Sequence, residues 1–128
     1  MRRIIWMLLL AVACNGEASE WVKLNEDERS VTYANSEALY ETGNEVKLWW
    51  MSDFKEAQTN NGDVYLSSRR QYEFDCKKME YRPLFFSRHT ERMAQGNPIY
   101  SSSAAGEWKR VPSNTIGEIL FKFACRTA

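Results

Sequence analysis

A pair of cysteines constrains this chain more than any other two residues. In Gln71-Tyr72-Glu73-Phe74-Asp75-Cys76 polar residues alternate with aromatic ones, the period of a strand buried on one face. Tyr and Phe suit such a pleated, half-buried surface. The last inward residue of the series is Cys76, and one partner is available to it, Cys125, near the end of an apolar C-terminal segment. Bridging them ties a mid-chain strand to the last element of the protein. A closed loop of about 50 residues is worth roughly 4 kcal/mol in the chain-entropy picture, a large share of the stability of a small domain.

The third cysteine, Cys14, lies in a segment with the marks of export. Arg2 and Arg3 precede an uncharged run from Ile4 to Ala13, too short to span a bilayer as a helix. Two cleavage readings compete. Gly16-Glu17-Ala18 presents small residues where a signal peptidase cuts, which makes residues 1–18 the signal and Ser19 the new N-terminus. Ala11-Val12-Ala13-Cys14 resembles a lipobox, which makes residues 1–13 the signal and Cys14 a lipidated anchor on the polar tether Asn15–Ser19. The tether tips the reading toward the lipoprotein, although the signal is short and Ala11 replaces the usual Leu. Either way Cys14 is removed or consumed, leaving Cys76 and Cys125 as an even pair in an oxidising compartment. The chain is read as exported, to the periplasm or the outer membrane or cell surface of a Gram-negative bacterium.

Residues 19–128 leave room for one domain. Alternation and β-branched content predict strands at Glu20–Leu24, Ser30–Ala34 and Val46–Ser52, with a short extended piece around Ala38-Leu39-Tyr40. Thr42-Gly43-Asn44 is a turn signal. Phe54 to Asp63 reads as a polar loop with Asn60-Asn61-Gly62-Asp63 at its tip. Val64 to Lys77 reads as a long strand and Lys78 to His89 as its neighbour, in which Pro83 must sit at a bulge or an edge because it cannot donate to a ladder. Gly96-Asn97-Pro98 turns the chain, Ile99-Tyr100 is a short strand, Ser101–Gly106 a loop, and Glu107–Val111 a last extended piece.

After Pro112 the period changes. Thr115 and Glu118 have capping-box spacing, and Ile116, Ile119, Leu120 and Phe123 form one stripe of a helix. Gly117, Phe121, Ala124 and Cys125 widen it, leaving only the line Glu118, Lys122 and Arg126 polar. So apolar a helix belongs in the trough of a curled sheet or under another chain. Reaching Cys76 requires it to roll its Phe121–Cys125 flank inward and leave Ile116 and Ile119 at the rim. The fold class is α+β, a curled antiparallel sheet of about six strands packed on a C-terminal helix.

The 17 basic and 17 acidic residues balance, which argues against a general nucleic-acid binder. They are segregated, however: residues 19–63 carry four basic and ten acidic side chains, residues 64–128 eleven and six. Trp49-Trp50-Met51 places an indole on each side of one strand, so one side is core and the other is covered or presents an apolar patch. Arg69, Arg70, Lys77, Arg82 and Arg88 punctuate two neighbouring strands among aromatic residues. Together these eight residues form the candidate ligand or partner surface. His89 is the only histidine and reads as a polar strand residue; neither a zinc set nor a Ser-His-Asp set is present. Asp53, Glu73 and Asp75 read as solvated or backbone-bonded carboxylates rather than an acid–base pair. No enzyme activity and no cofactor are expected.

With these residues in view the chain resembles the surface-adhesin protein E family of exported bacterial proteins. The likeness runs from Trp21 to Cys125. It rests on Trp21, on Gly43 before Val46-Lys47-Leu48-Trp49, and on Asp53-Phe54. It continues through Tyr72-Glu73-Phe74-Asp75-Cys76, Trp108 to Val111, Pro112-Ser113 and the terminal helix with Cys125. The resemblance implies a curled antiparallel sheet disulfide-linked to that helix, homodimers, and a non-enzymatic envelope module, a surface adhesin binding host or matrix proteins. The basic strands of an exported chain add an anionic glycan as a partner. Charge balance and export argue against nucleic acid, and contact with the membrane is expected only through Cys14. The alternative is a periplasmic inhibitor, with Phe54–Asp63 or Ser101–Gly106 as the plug, or an envelope-maintenance protein.

Overall fold

The alternating stretches assemble into one antiparallel sheet, shown by a computed structural model that describes residues 20–36 and 40–126, without the side chains of residues 40 and 41. The export segment with Cys14 and the extended piece at Ala38-Leu39 lie outside the described residues. The strands are β1 (Trp21–Glu26), β2 (Ser30–Asn35), β3 (Tyr40–Thr42), β4 (Glu45–Asn60), β5 (Asp63–Asp75), β6 (Glu80–His89), β7 (Pro98–Ser102) and β8 (Lys109–Arg110). The main path runs β1-β2-β4-β5-β6-β7, the six strands expected, with short β3 beside β4 and short β8 beside β6. The chain ends in helix α1 (Ile116–Arg126).

Register sorts the side chains of the two central strands. Val46 stands opposite Phe74, Leu48 opposite Tyr72 and Trp50 opposite Arg70, so these share the inner face. Trp49 opposite Gln71 and Met51 opposite Arg69 belong to the outer face. Val46, Leu48, Phe74 and Ala34 are wholly buried together with Leu120 and Ala124 of α1. The helix therefore lies on the inner face, touching β1, β4 and β5. The Phe121 ring meets Phe74 edge-on with centroids 5.9 Å apart, and Cys125 is bonded to Cys76 across a Cα separation of 5.6 Å, inside the reach of about 7 Å that a disulfide allows. Ile116 and Ile119 take the rims: Ile116 beside Trp50 and Tyr81, Ile119 beside Val22 and Leu24 of β1. The Thr115 hydroxyl accepts from Glu118 N–H at 3.3 Å, and the Glu118 carboxylate reaches back to Asn114 N–H at 2.9 Å, one residue before the cap.

The segment Phe54–Asp63 is not a loop. Strand β4 runs on to Asn60, and Gln58, Thr59 and Asn60 pair with Tyr65, Val64 and Asp63. Residues 54–57 stand opposite the single Leu66, a wide bulge between two paired stretches. Asn61 and Gly62 then turn the chain with φ of 51° and 88°, both positive as a two-residue hairpin of the primed type demands. Polar composition concealed the β4 side of a hairpin arm, on which Lys55, Glu56, Ala57 and Thr59 are exposed. Pro83 does sit at a bulge, where Phe85 opposes Gln71 but Pro83 opposes Tyr72.

Because the disulfide closes a loop of 49 residues, we expect Cys76→Ser and Cys125→Ser each to lose about 4 kcal/mol in denaturant titration. The double variant should match either single one. Losses differing between the two by more than a kilocalorie would show that packing, not the bond, is being measured.

Candidate functional site: two arginine–aromatic stacks

Helix α1 covers only one half of the inner face. On the half it leaves open, Arg70 of β5 and Arg88 of β6 stand over a shared ring. The Arg70 guanidinium carbon is 4.5 Å from the centre of Phe86 and 5.2 Å from that of Trp50. For Arg88 the distances are 4.8 Å to Phe86, 5.0 Å to Tyr100 and 5.2 Å to Tyr65. The cause is register: Phe86 pairs with Arg70 and Ser68 with Arg88, so the cations sit diagonally on one face with Phe86 between them. A cation over an aromatic face is held by the ring quadrupole at about 0.5–2 kcal/mol.

Neither cation has an acidic partner. None of the ion pairs among the described residues includes Arg70 or Arg88. Arg70 donates to Ser68 Oγ at 3.2 Å, whereas Arg88 Nε and Trp50 Nε1 are buried without a hydrogen-bond partner. Burial pushes the Arg70 guanidinium below its usual pKa; the groups that further tune it are Tyr72, Tyr65 and the repelling charge of Arg88. Burial likewise raises the pKa of the Tyr72 hydroxyl. The result is a patch of donors with aromatic walls and no carboxylate, suited to an anion.

The outer face carries a second stack. Trp49 and Phe85 meet edge-on with centroids 5.3 Å apart, and Arg69 lies over both, 4.6 Å from Trp49 and 5.6 Å from Phe85. Its Nε is buried and unpartnered, and burial lowers its pKa. Beside it the segment after β6 folds back over the sheet. Met93 N–H donates to Asp53 Oδ1 at 2.8 Å and Ala94 N–H to Ser67 Oγ at 2.9 Å. Arg92 donates to the carbonyls of Phe54 and Lys55. This return accounts for the complete burial of Met51 on a face without a helix.

Those contacts divide the surface that the sequence suggested. Trp50, Arg70 and Arg88 come together on the inner face; Trp49, Met51 and Arg69 lie on the outer one. Arg82 is committed elsewhere, pairing through Nη2 and Nε with the buried Glu73 carboxylate at 2.9 Å and stacking 4.9 Å from Trp108. Lys77 is exposed in the turn after β5, at the opposite end of the β5–β6 hairpin from Arg88. The carboxylates have structural employment: Asp75 accepts from the N–H groups of Lys77 and Lys78, and Asp53 from Met93. His89 is buried against Ser87 Oγ at 2.8 Å and the Gly96 carbonyl. Among the described residues no group of three or more His, Cys, Asp or Glu could hold a metal ion, and no helix is long and apolar enough to cross a membrane.

Comparison with known proteins bears on this arrangement. The family model for surface-adhesin protein E matches residues 21–126. The chain belongs to the surface-adhesin protein E family. Solved structures of Haemophilus influenzae protein E share the fold. Crystal form II aligns with a TM-score of 0.69 and 11% identity over 84% of this chain and 87% of that one. A second structure gives 0.66 and 11% over 84% of each, and the selenomethionine form gives 0.61 and 10% over 84% and 94%. No curated protein sequence matches the chain significantly. At such low identity the likeness to protein E establishes the fold, and the arginine stacks are read from this family member's own residues.

Sequence reasoning missed the turn at Met93-Ala94, whose φ values of 59° and 57° are unusual for residues other than glycine. No local signal announces them; Asp53 and Ser67, far off in the chain, hold them in place. Removing the acceptor in Asp53→Ala should cost about 2 kcal/mol in denaturant titration and speed hydrogen exchange at the Met93 amide. Unchanged exchange there would mean that the turn holds its shape without Asp53.

Proposed function

We propose that this chain is an exported, non-enzymatic module of the cell envelope of a Gram-negative bacterium. It serves as a surface adhesin, grasping anionic groups on a host or matrix protein or glycan. The observation that carries this reading is the pair Arg70 and Arg88, stacked about one shared ring, Phe86, with no ion pair to a carboxylate among the described residues. Both side chains are half-buried, and a charge taken partly out of water without a partner carries a cost that an anion arriving from outside would offset. Family membership supports the adhesin class. Cleavage before Cys14 and its acylation anchor the module to the membrane, with residues 15–19 as tether.

The β4–β5 arm favours one other reading, a periplasmic inhibitor that inserts this hairpin into an enzyme cleft. Val64 near its tip is 54% exposed, as a plug residue would be. Co-purification with a hydrolase whose activity falls would select that reading.

The adhesin reading is tested with the mature protein on immobilised heparin and on immobilised matrix proteins. Arg70→Gln/Arg88→Gln should weaken retention at least tenfold and flatten its dependence on salt, since the contacts are between charges. Lys77→Gln should change little. Equal retention of the double variant and the parent would refute the assignment of these arginines.

A further inference from the structure

The outer face holds a pocket that the anion-binding reading above does not use. It has a volume of about 350 Å³ and lies between Trp21 of β1, Asn35 of β2, Trp49 of β4, Arg69 of β5 and the returning residues 93–95. Such a volume is at the small end of ligand pockets, enough for a compact molecule and too little for a folded segment of a partner.

Its chemistry narrows the ligand. Arg69 makes no ion pair among the described residues; its Nε is buried without a hydrogen-bond partner, and its guanidinium lies over two rings. Rings hold the guanidinium in place without using its N–H groups, and a planar carboxylate fits a guanidinium edge with two parallel hydrogen bonds. One cation calls for one negative charge, unlike the inner pair. The rest of the lining is largely polar, which disfavours a fatty or aromatic acid. Two indoles contribute flat apolar surface of the kind that covers the C–H face of a sugar ring.

The roof is also built to a fixed shape. Met93 and Ala94 both occupy the left-handed region, at φ of 59° and 57°, which costs on the order of 1–3 kcal/mol per residue and persists only where the surroundings enforce it. Asp53 and Ser67 do so from below through the N–H groups of that turn. Strain held at the rim of a polar pocket, beside an unpaired guanidinium, is the signature of a preformed binding site.

We propose that this outer pocket binds a carboxylate-bearing monosaccharide, with Arg69 gripping the carboxylate and Trp49 and Trp21 flanking the ring. The site is separate from Arg70 and Arg88, so either assignment can fail alone.

The test is NMR titration of the mature, disulfide-bonded protein with glucuronate, using glucose and N-acetylglutamate amide as controls. Glucuronate should give saturable shifts of the Trp21 and Trp49 indole N–H signals, and glucose should bind at least tenfold more weakly. Arg69→Gln should lose at least tenfold in affinity at an unchanged melting temperature, while Arg70→Gln/Arg88→Gln keeps the parent's affinity. The parent's shift map stands even if the Arg69 variant folds poorly. Absence of saturable shifts, glucose binding as tightly as glucuronate, or full affinity in a folded Arg69→Gln protein would overturn the proposal. Equal binding of the glutamate analogue would also overturn it, by making the pocket a receptor for acidic peptide side chains.

Discussion

The bond between Cys76 and Cys125 decides which half of the inner face becomes core. It anchors α1 at the end of β5, where Val46, Leu48 and Phe74 are wholly buried beneath Leu120 and Ala124. The helix is only 11 residues long and cannot cover the other half of strands that run to 16 and 13 residues. Beyond its reach the same face carries Arg70 and Arg88 over the rings of Phe86, Tyr65 and Tyr100, with Ser52 and Ser68 buried among them. One covalent tie thus separates a helix-covered half from a half lined by arginine–aromatic stacks.

The arginines show how environment divides labour among identical side chains. Arg82 has Glu73 across the strand pair and forms a buried ion pair, of the sort whose disruption is costly because it strands a charge. Arg69, Arg70 and Arg88 have rings instead. Stacking leaves the guanidinium charge without an ion pair among the described residues, while partial burial weakens competition from water. Of the three, Arg70 spends an N–H on a side-chain hydroxyl, that of Ser68. The penalty for keeping these cations half-buried is offset in part by the cation–π contacts.

Much of this was legible in the residues. Alternation marked the central strands, a change of period marked the helix, and parity with compartment marked the disulfide. Pro83 announced its bulge because a missing N–H has a fixed consequence for a ladder. The β4 side of the hairpin arm reads as a loop because Lys55–Asn60 is largely polar, whereas its β5 side is legible as a strand from Val64 on, and only the pair Asn61-Gly62 betrays the turn. The grouping of the arginines could not be read locally. Neighbours such as Arg69 and Arg70 point to opposite faces, and which aromatic residue meets each one depends on a register that bulges at Phe54–Ala57 and at Leu84 shift. The strained turn at Met93-Ala94 was invisible because its cause, Asp53 and Ser67, lies about 25–40 residues upstream.

The central claim is that the helix-free half of the inner face receives the anionic partner of this family member. The most direct measurement is side-chain NMR of the isotope-labelled protein during titration with a sulfated oligosaccharide, following arginine Nε–H and tryptophan Nε1–H signals together. The account predicts saturable shifts at Arg70, Arg88 and Trp50, with Arg82 and the α1 amides from Ile119 onward unmoved. Shifts centred on the Lys77–Lys78 turn or on β8, with Arg70 and Arg88 silent, would contradict it.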